Sequence, residues 1–228
     1  MRAVLFDLGN TLHHLDHAWI AACITAHGHP TTERQVHEAE YLGKADVDAR
    51  FRAQRDPGSD SSRQTDYVGI ILDALGVPAA RQPEIAAAFH AENRRDSLWR
   101  VVLDDTDGVL DALRARGLQL AVVSNADGRV PAALAASGLE CHFGAVIDSH
   151  LVGVEKPDPR IFHLALDALG VPAAEALFVG DIYEIDVVGA RQAGMDAVLI
   201  DRLSLYGEVD CRRIAHLREL LQIVECGA

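Results

Sequence analysis

The chain has little of what several function classes depend on. Cysteine occurs four times, at Cys23, Cys141, Cys211 and Cys226, with no C-x-x-C pair. That spacing suggests neither a zinc knuckle nor a disulfide framework, and it points to a reducing compartment. No apolar run approaches the roughly 18 residues of a membrane span, and no charged leader followed by a long apolar stretch opens the chain. The expected location is therefore cytoplasmic. Positive charge is scarce, with 34 Asp and Glu against 21 Lys and Arg and a formal net charge of −13. Such a chain repels a phosphate backbone and an anionic bilayer, so neither nucleic acid nor membrane is an expected partner. A phosphorylated ligand must then be held by local positive groups or by a metal. Lysine is almost missing: Lys44 and Lys156 stand alone among the basic residues, and the rest are Arg.

What is present is the composition of a packed protein. The 228 residues are 49% hydrophobic and 24% charged, which excludes disordered and fibrous classes. At about 150 residues per domain the length gives one core plus an insertion or small partner domain.

The run over 3–8 is apolar and ends in Asp7-Leu8-Gly9-Asn10, a buried strand opening into a turn. From about 13 to 99 the chain carries most of its His and Arg, a polar break at 56–62 (DPGSDSS) and helical spacing such as Ile70, Ile71, Leu72 and Leu75. This predicts a bundle of about four helices. From 104 onward helical segments (106–116, 130–136, 159–169, 185–193) alternate with short apolar strands (118–123, 145–147, 176–179, 197–200). Strands that are apolar throughout, taking turns with helices, predict a parallel sheet covered on both faces. The expected fold class is α/β, a Rossmann-like doubly wound core formed by 1–12 and 104–228, with an inserted helical domain over 13–103. A final amphipathic helix over 214–224 is expected on the sheet edge.

In an open parallel sheet, ligands bind outside the carboxyl ends of the strands. The groups at those ends are Asp7, Ser124-Asn125 and Gly180-Asp181, and Lys156 lies in the loop VEKPDP. The topology thus directs carboxylates, a hydroxyl and an ammonium to one crevice. A lysine in a chain that otherwise uses arginine suggests a site needing a compact ammonium rather than a planar fork.

The segments FDLGNTL, VVSN, EKPDPRIF and FVGDIYEIDVVGARQAGM resemble, in order and rough spacing, the four motifs of the haloacid dehalogenase-like hydrolases. The match covers 3–12 and about 104–200, and the helical insertion is similar to the small cap domain of the family's first cap class. The resemblance implies that Asp7 is a nucleophile that forms an aspartyl intermediate, splitting one difficult hydrolysis into two displacements. It implies one Mg2+ held by Asp7, the Gly9 carbonyl and Asp181. Lys156 would set a fixed positive charge against the phosphoryl oxygens, while Ser124, Asn125 and nearby amides would bind the substrate. Asp186 would orient Lys156 or a metal-bound water. The implied reading is a magnesium-dependent hydrolase, a phosphatase of a small phosphorylated metabolite.

One position departs from the pattern. The family's phosphatases usually carry a second Asp two residues after the nucleophile, to protonate the leaving oxygen, and this chain has Gly9 there. Losing such a group typically costs about 10²–10⁴-fold in rate. A leaving group of low pKa, a proton from the insertion or from water, or a weakly active member serving as a binding or regulatory module would each fit. Metal-independent 2-haloacid dehalogenases also lack that Asp, but they do not keep a metal-binding Asp in the fourth motif, whereas Asp181 and Asp186 are present here. Phosphonoacetaldehyde hydrolases use a cap lysine as a Schiff base, and Lys44, in the turn-like break YLGKAD, is the insertion's only candidate for substrate binding of that kind. The stretch His13, His14, Asp16, His17 offers a soft-metal site, a general acid or a polar hinge.

Overall fold

The computed structural model describes residues 1–53, 60–103 and 105–226. The chain forms two compact units, Met1–His14 with Val102–Ala228, and Leu15–Val101. It opens with β1 (Ala3–Phe6) and then enters the helical unit, passing through two short strands that pair with each other, β2 (His14–Leu15) and β3 (Trp99–Val101).

Four helices make the unit between them: α1 (His17–Ala26), α2 (Glu33–Arg52), α3 (Asp60–Ala74) and α4 (Gln82–Arg95). Asp16 caps α1 by accepting from the Trp19 amide, and Thr32 and Gln35 form a reciprocal capping box at the start of α2. Ile20, Ile24, Val36, Ile71, Leu72, Ile85 and Phe89 form its core. The polar break expected at 56–62 falls largely on 54–59, outside the described residues. Lys44 is not in a turn: it lies inside the 20-residue α2. The glycine that made YLGKAD look like a break has a packing reason, since a Cβ on Gly43 would stand 2.8 Å from the Tyr67 ring of α3.

The remaining chain builds the sheet and its two layers of helices. The strands are β4 (Gln119–Ser124), β5 (Ala145–Asp148), β6 (Ala176–Gly180), β7 (Asp196–Ile200) and β8 (Arg212–Ile214). With β1 they form a six-stranded parallel sheet in the order β5-β4-β1-β6-β7-β8. Alternate side chains of β1 enter different cores: Val4 and Phe6 pack with α5 (Thr106–Ala115) and α6 (Val130–Ser137), while Ala3 and Leu5 pack in the other core. A four-residue helix, α7 (Ser149–Val152), follows β5 directly. That other core also takes in α8 (Pro159–Leu169) and α9 (Val188–Gln192). Because both faces are covered, all four β1 side chains are fully buried, which is why the strand reads as a continuous apolar run.

The C-terminal region differs from expectation. Arg212–Ile214 is a parallel edge strand on β7, followed by a short turn, Leu217–Glu219, and only then by α10 (Leu220–Cys226). Only Ile214 of β8 is buried. Its two arginines are exposed, the composition of an edge strand protected by charge.

Candidate active site

The register pairs Phe6 with Val122 on one side and Val179 on the other. Asp7, Ser124 and Gly180-Asp181 therefore leave the sheet together at its carboxyl edge. The Asp7 amide still donates to the Val179 carbonyl (2.9 Å), which fixes the start of the loop. That loop folds back on itself through His13 N to Leu8 O (2.9 Å) and Asn10 N to His13 O (2.6 Å).

Lys156 reaches this edge from a loop fixed at both ends. Downstream, Asp158 caps α8 through the Arg160 amide and Pro159 fills the first helical position. Upstream, the Asn125 carboxamide accepts from the Lys156 amide (2.7 Å) and donates to its carbonyl (3.0 Å). The Lys156 Nζ then donates to Asp7 Oδ1 (2.6 Å) and Asp186 Oδ1 (2.7 Å). The other Asp186 oxygen accepts from the Asp181 and Ile182 amides (3.0 and 2.9 Å). Asp186 is carried on a π-helical turn, Tyr183–Val187, and fits only because residue 180 has no side chain.

One ammonium thus faces three carboxylates, all buried. Oxygens of Asp7, Asp181 and Asp186 lie within 4.8 Å of one another, and this is the one group of possible metal ligands among the described residues. Burial raises the Asp7 carboxyl; Lys156 pulls it back, Asp186 and Asp181 push it further, and the balance leaves it at about 7. For Lys156, burial works against the charge, but the Asp186 and Asp7 carboxylates outweigh it and hold the amine above the ordinary lysine range. A cluster so short of positive charge has the chemistry of a hard-cation site. Both Asp186 oxygens are already taken by protein donors, so the carboxylates of Asp7 and Asp181 are better placed to hold an ion.

Ser124 is buried at the end of β4, opposite Asp148 of β5. The loop that follows it is fastened by groups that sequence reasoning missed. Asp148 accepts from the Gly128 (3.1 Å), Val130 (3.2 Å) and His150 (3.0 Å) amides, and Ser149 Oγ accepts from Ala126 N (3.1 Å). The bond from the His150 amide is a local helix cap of α7, but the others escape a reading of the sequence because their partners are backbone amides some twenty positions away.

The other candidates disperse. Lys44 belongs to the helical unit, its Nζ 4.1 Å from the Tyr41 ring centroid and its charge acting on the buried Glu40. The histidine stretch does not form one cluster: His13 meets Ser137 Oγ (3.0 Å), His14 faces Arg202, and His17 pairs with Glu40 (2.5 Å).

A parallel sheet bearing buried carboxylates and a lysine at its carboxyl edge, with helices inserted after its first strand, defines a class of α/β enzymes. A family model described as haloacid dehalogenase-like hydrolase matches residues 1–194, a stretch containing every group of the cluster. The chain belongs to that family, and it is a hydrolase. It is 37% identical over 175 residues to a phosphoserine phosphatase of Thermus thermophilus, covering 72% of this chain and 67% of that protein. It is 30% identical over 238 residues to a glyceraldehyde 3-phosphate phosphatase of Methanopyrus kandleri, covering 98% and 97%. Among solved structures, an L-2-haloacid dehalogenase, RSc1362, superposes with a TM-score of 0.66 at 26% identity over 99% of both chains. Against the first curated relatives, the match spans about half to two thirds of their own length. No helix among the described residues is long and apolar enough to cross a membrane.

Proposed function

We propose that the protein is a magnesium-dependent phosphatase of a small phosphorylated metabolite. The observation that carries this reading is the buried cluster of three carboxylates and one lysine at the carboxyl edge of the sheet. Asp7 and Asp181, with the Gly9 carbonyl, are the oxygen donors suited to Mg2+. When bound, the ion would offset the repulsion between the Asp7 carboxylate and a phosphoryl group.

The chain's own residues divide the remaining work. Asp7 attacks phosphorus as the bond to the leaving-group oxygen breaks, carries the phosphoryl group as an aspartyl phosphate, and is restored when water attacks that phosphorus and releases inorganic phosphate. Lys156, locked between two carboxylates, presents a fixed charge to the phosphoryl oxygens. Asn125 acts by holding the Lys156 backbone, and Asp186 by holding both Lys156 and the Asp181 amide. Ser124 and the amides after it supply hydrogen bonds to the phosphoryl group. With Gly9 in place of a second carboxylic acid, substrates whose leaving group departs unprotonated should react fastest.

The rival reading, 2-haloacid dehalogenation, leaves Asp181 without a task, since an added carboxylate only repels an acid substrate. Lys44 lies inside α2 against the Tyr41 ring, with its charge acting on Glu40, and no observation ties it to imine chemistry. Release of phosphate from an aryl phosphate should require magnesium and be abolished by Asp7→Asn and Asp181→Ala. Halide release from a 2-haloacid without metal would refute the phosphatase reading.

A further inference from the structure

The loop between β7 and β8 turns one aromatic side chain inward. Leu203 and Leu205 stand 37% and 42% exposed, whereas Tyr206 beside them is half-buried and packs against the core that takes in α8 and α9. What distinguishes the tyrosine is its hydroxyl, which needs a partner once the ring is buried. Its backbone is fastened on both sides. The Tyr206 amide donates to the buried Asp201 (3.2 Å), next to the bond from the Leu205 amide (2.9 Å), and the Tyr206 carbonyl accepts from Arg213 of β8. Arg213 in turn pairs with Asp201 (3.3 Å) and donates to the Gly207 carbonyl (3.3 Å).

The hydroxyl so placed meets the segment that follows β6. It accepts from the Tyr183 amide (3.2 Å) and donates to the Asp181 carbonyl (3.4 Å), so both its acceptor and its donor capacity are used. The Tyr183 amide opens the π-helical turn, and the residue before it, Ile182, has no side-chain cap to offer. Asp186 already takes the two preceding amides, those of Asp181 and Ile182. Asp181 is thereby held on both sides, at its amide by Asp186 and at its carbonyl by Tyr206. With the backbone fixed, its carboxylate is left only the side-chain torsions.

We infer that Tyr206 is a positioning residue for Asp181: its hydroxyl fixes the backbone that aims this carboxylate, and so sets the affinity of the site for a divalent cation. This rests on the reading of Asp7 and Asp181 as cation ligands, and it is tested by binding, without turnover. Mn2+ shares the octahedral, oxygen-liganded chemistry of Mg2+, and its free fraction is read directly by electron paramagnetic resonance. Wild-type protein should bind Mn2+ at a site that Asp181→Ala abolishes and added Mg2+ competes for. Tyr206→Phe keeps the ring in the core and removes the hydroxyl; it should weaken that binding about tenfold, the lower end of what losing a group behind a metal ligand costs. In the metal-free protein the same variant should speed hydrogen exchange at the Tyr183 amide, while the amides of β1 and β4 exchange as in the wild type. Equal Mn2+ affinities in wild type and Tyr206→Phe, or a Tyr183 amide that exchanges at the wild-type rate, would overturn the assignment. Faster exchange throughout the sheet would mark a general loosening and overturn it too. Wild-type protein without Asp181-dependent Mn2+ binding would instead remove the cation reading, and the assignment with it.

Discussion

Gly180 offers the sharpest test of how the site is assembled. A methyl group there would stand 2.4 Å from Asp186 Cγ, 2.5 Å from its Oδ2 and 2.6 Å from its Cβ. These distances fall roughly 1 Å short of ordinary carbon contact. Rotating the Asp186 side chain gives no relief, because its Cβ is itself in the way. The π-helical turn or the end of β6 must therefore move, and with it the 2.7 Å bond to Lys156 and the bonds from the Asp181 and Ile182 amides. Forcing a methyl into such a space costs about 1–3 kcal/mol, and a misplacement of about 1 Å at a catalytic group costs about 10² in rate. Gly180→Ala should thus lower kcat/KM for an aryl phosphate about a hundredfold and lower Tm by several degrees. Gly108→Ala is the matched control: it lies in α5 with nothing within 4 Å of the added carbon, and it should be neutral or slightly stabilising. Activity within threefold of wild type, with an unchanged Tm, would refute the claim that Gly180 exists to admit Asp186.

Two further predictions concern stability. Burial opposes the charge on Glu40, but the His17 hydrogen bond and the Lys44 and His17 charges outweigh it and hold the carboxyl at about 2, against an ordinary 4.5. A lowered folded-state pKa means that this stabilisation is complete above about pH 5 and is lost as pH falls toward 2, at most about 3 kcal/mol. Glu40→Gln should flatten the acid-unfolding profile over that window, and parallel profiles for the two proteins would count against the assignment. Asp148→Ala strips the acceptor from three backbone amides in a buried setting, and denaturant unfolding should register a loss of about 2–4 kcal/mol, partly restored in Asp148→Asn; a loss below 1 kcal/mol would show that the loop after Ser124 is held by something else.

The parts legible in the sequence were those encoded by period and by chain order. Continuous apolar runs marked β1, β4, β6 and β7, because a strand buried on both faces has no polar alternation to confuse the reading. The polar residues just past those runs had to fall on one edge once the sheet was parallel. What escaped depends on contacts distant in sequence. β8 carries one buried side chain in three residues, too little to compete with the helical pattern that follows it. Gly43 has the composition of a turn, and only the Tyr67 ring across from it shows why a glycine belongs inside a helix. The hold of Asp148 on the loop after Ser124 and the clearance that Gly180 gives Asp186 do not show in a line of text, since each depends on what lies against the residue in space.

The strand order carries a consequence for how the molecule comes to exist. β1 is synthesised first yet lies in the interior of the sheet, and its neighbours begin only at Gln119 and Ala176. Asp7 and Lys156 are 149 positions apart. At about 5–20 residues per second, the ribosome takes on the order of ten seconds or more to deliver both flanking strands. Until β4 is made the fully apolar AVLF segment has no partner strand, and the whole helical unit of 15–101 is synthesised in the meantime. The nascent chain must therefore keep its own central strand from pairing elsewhere, and the active site is among the last features to form.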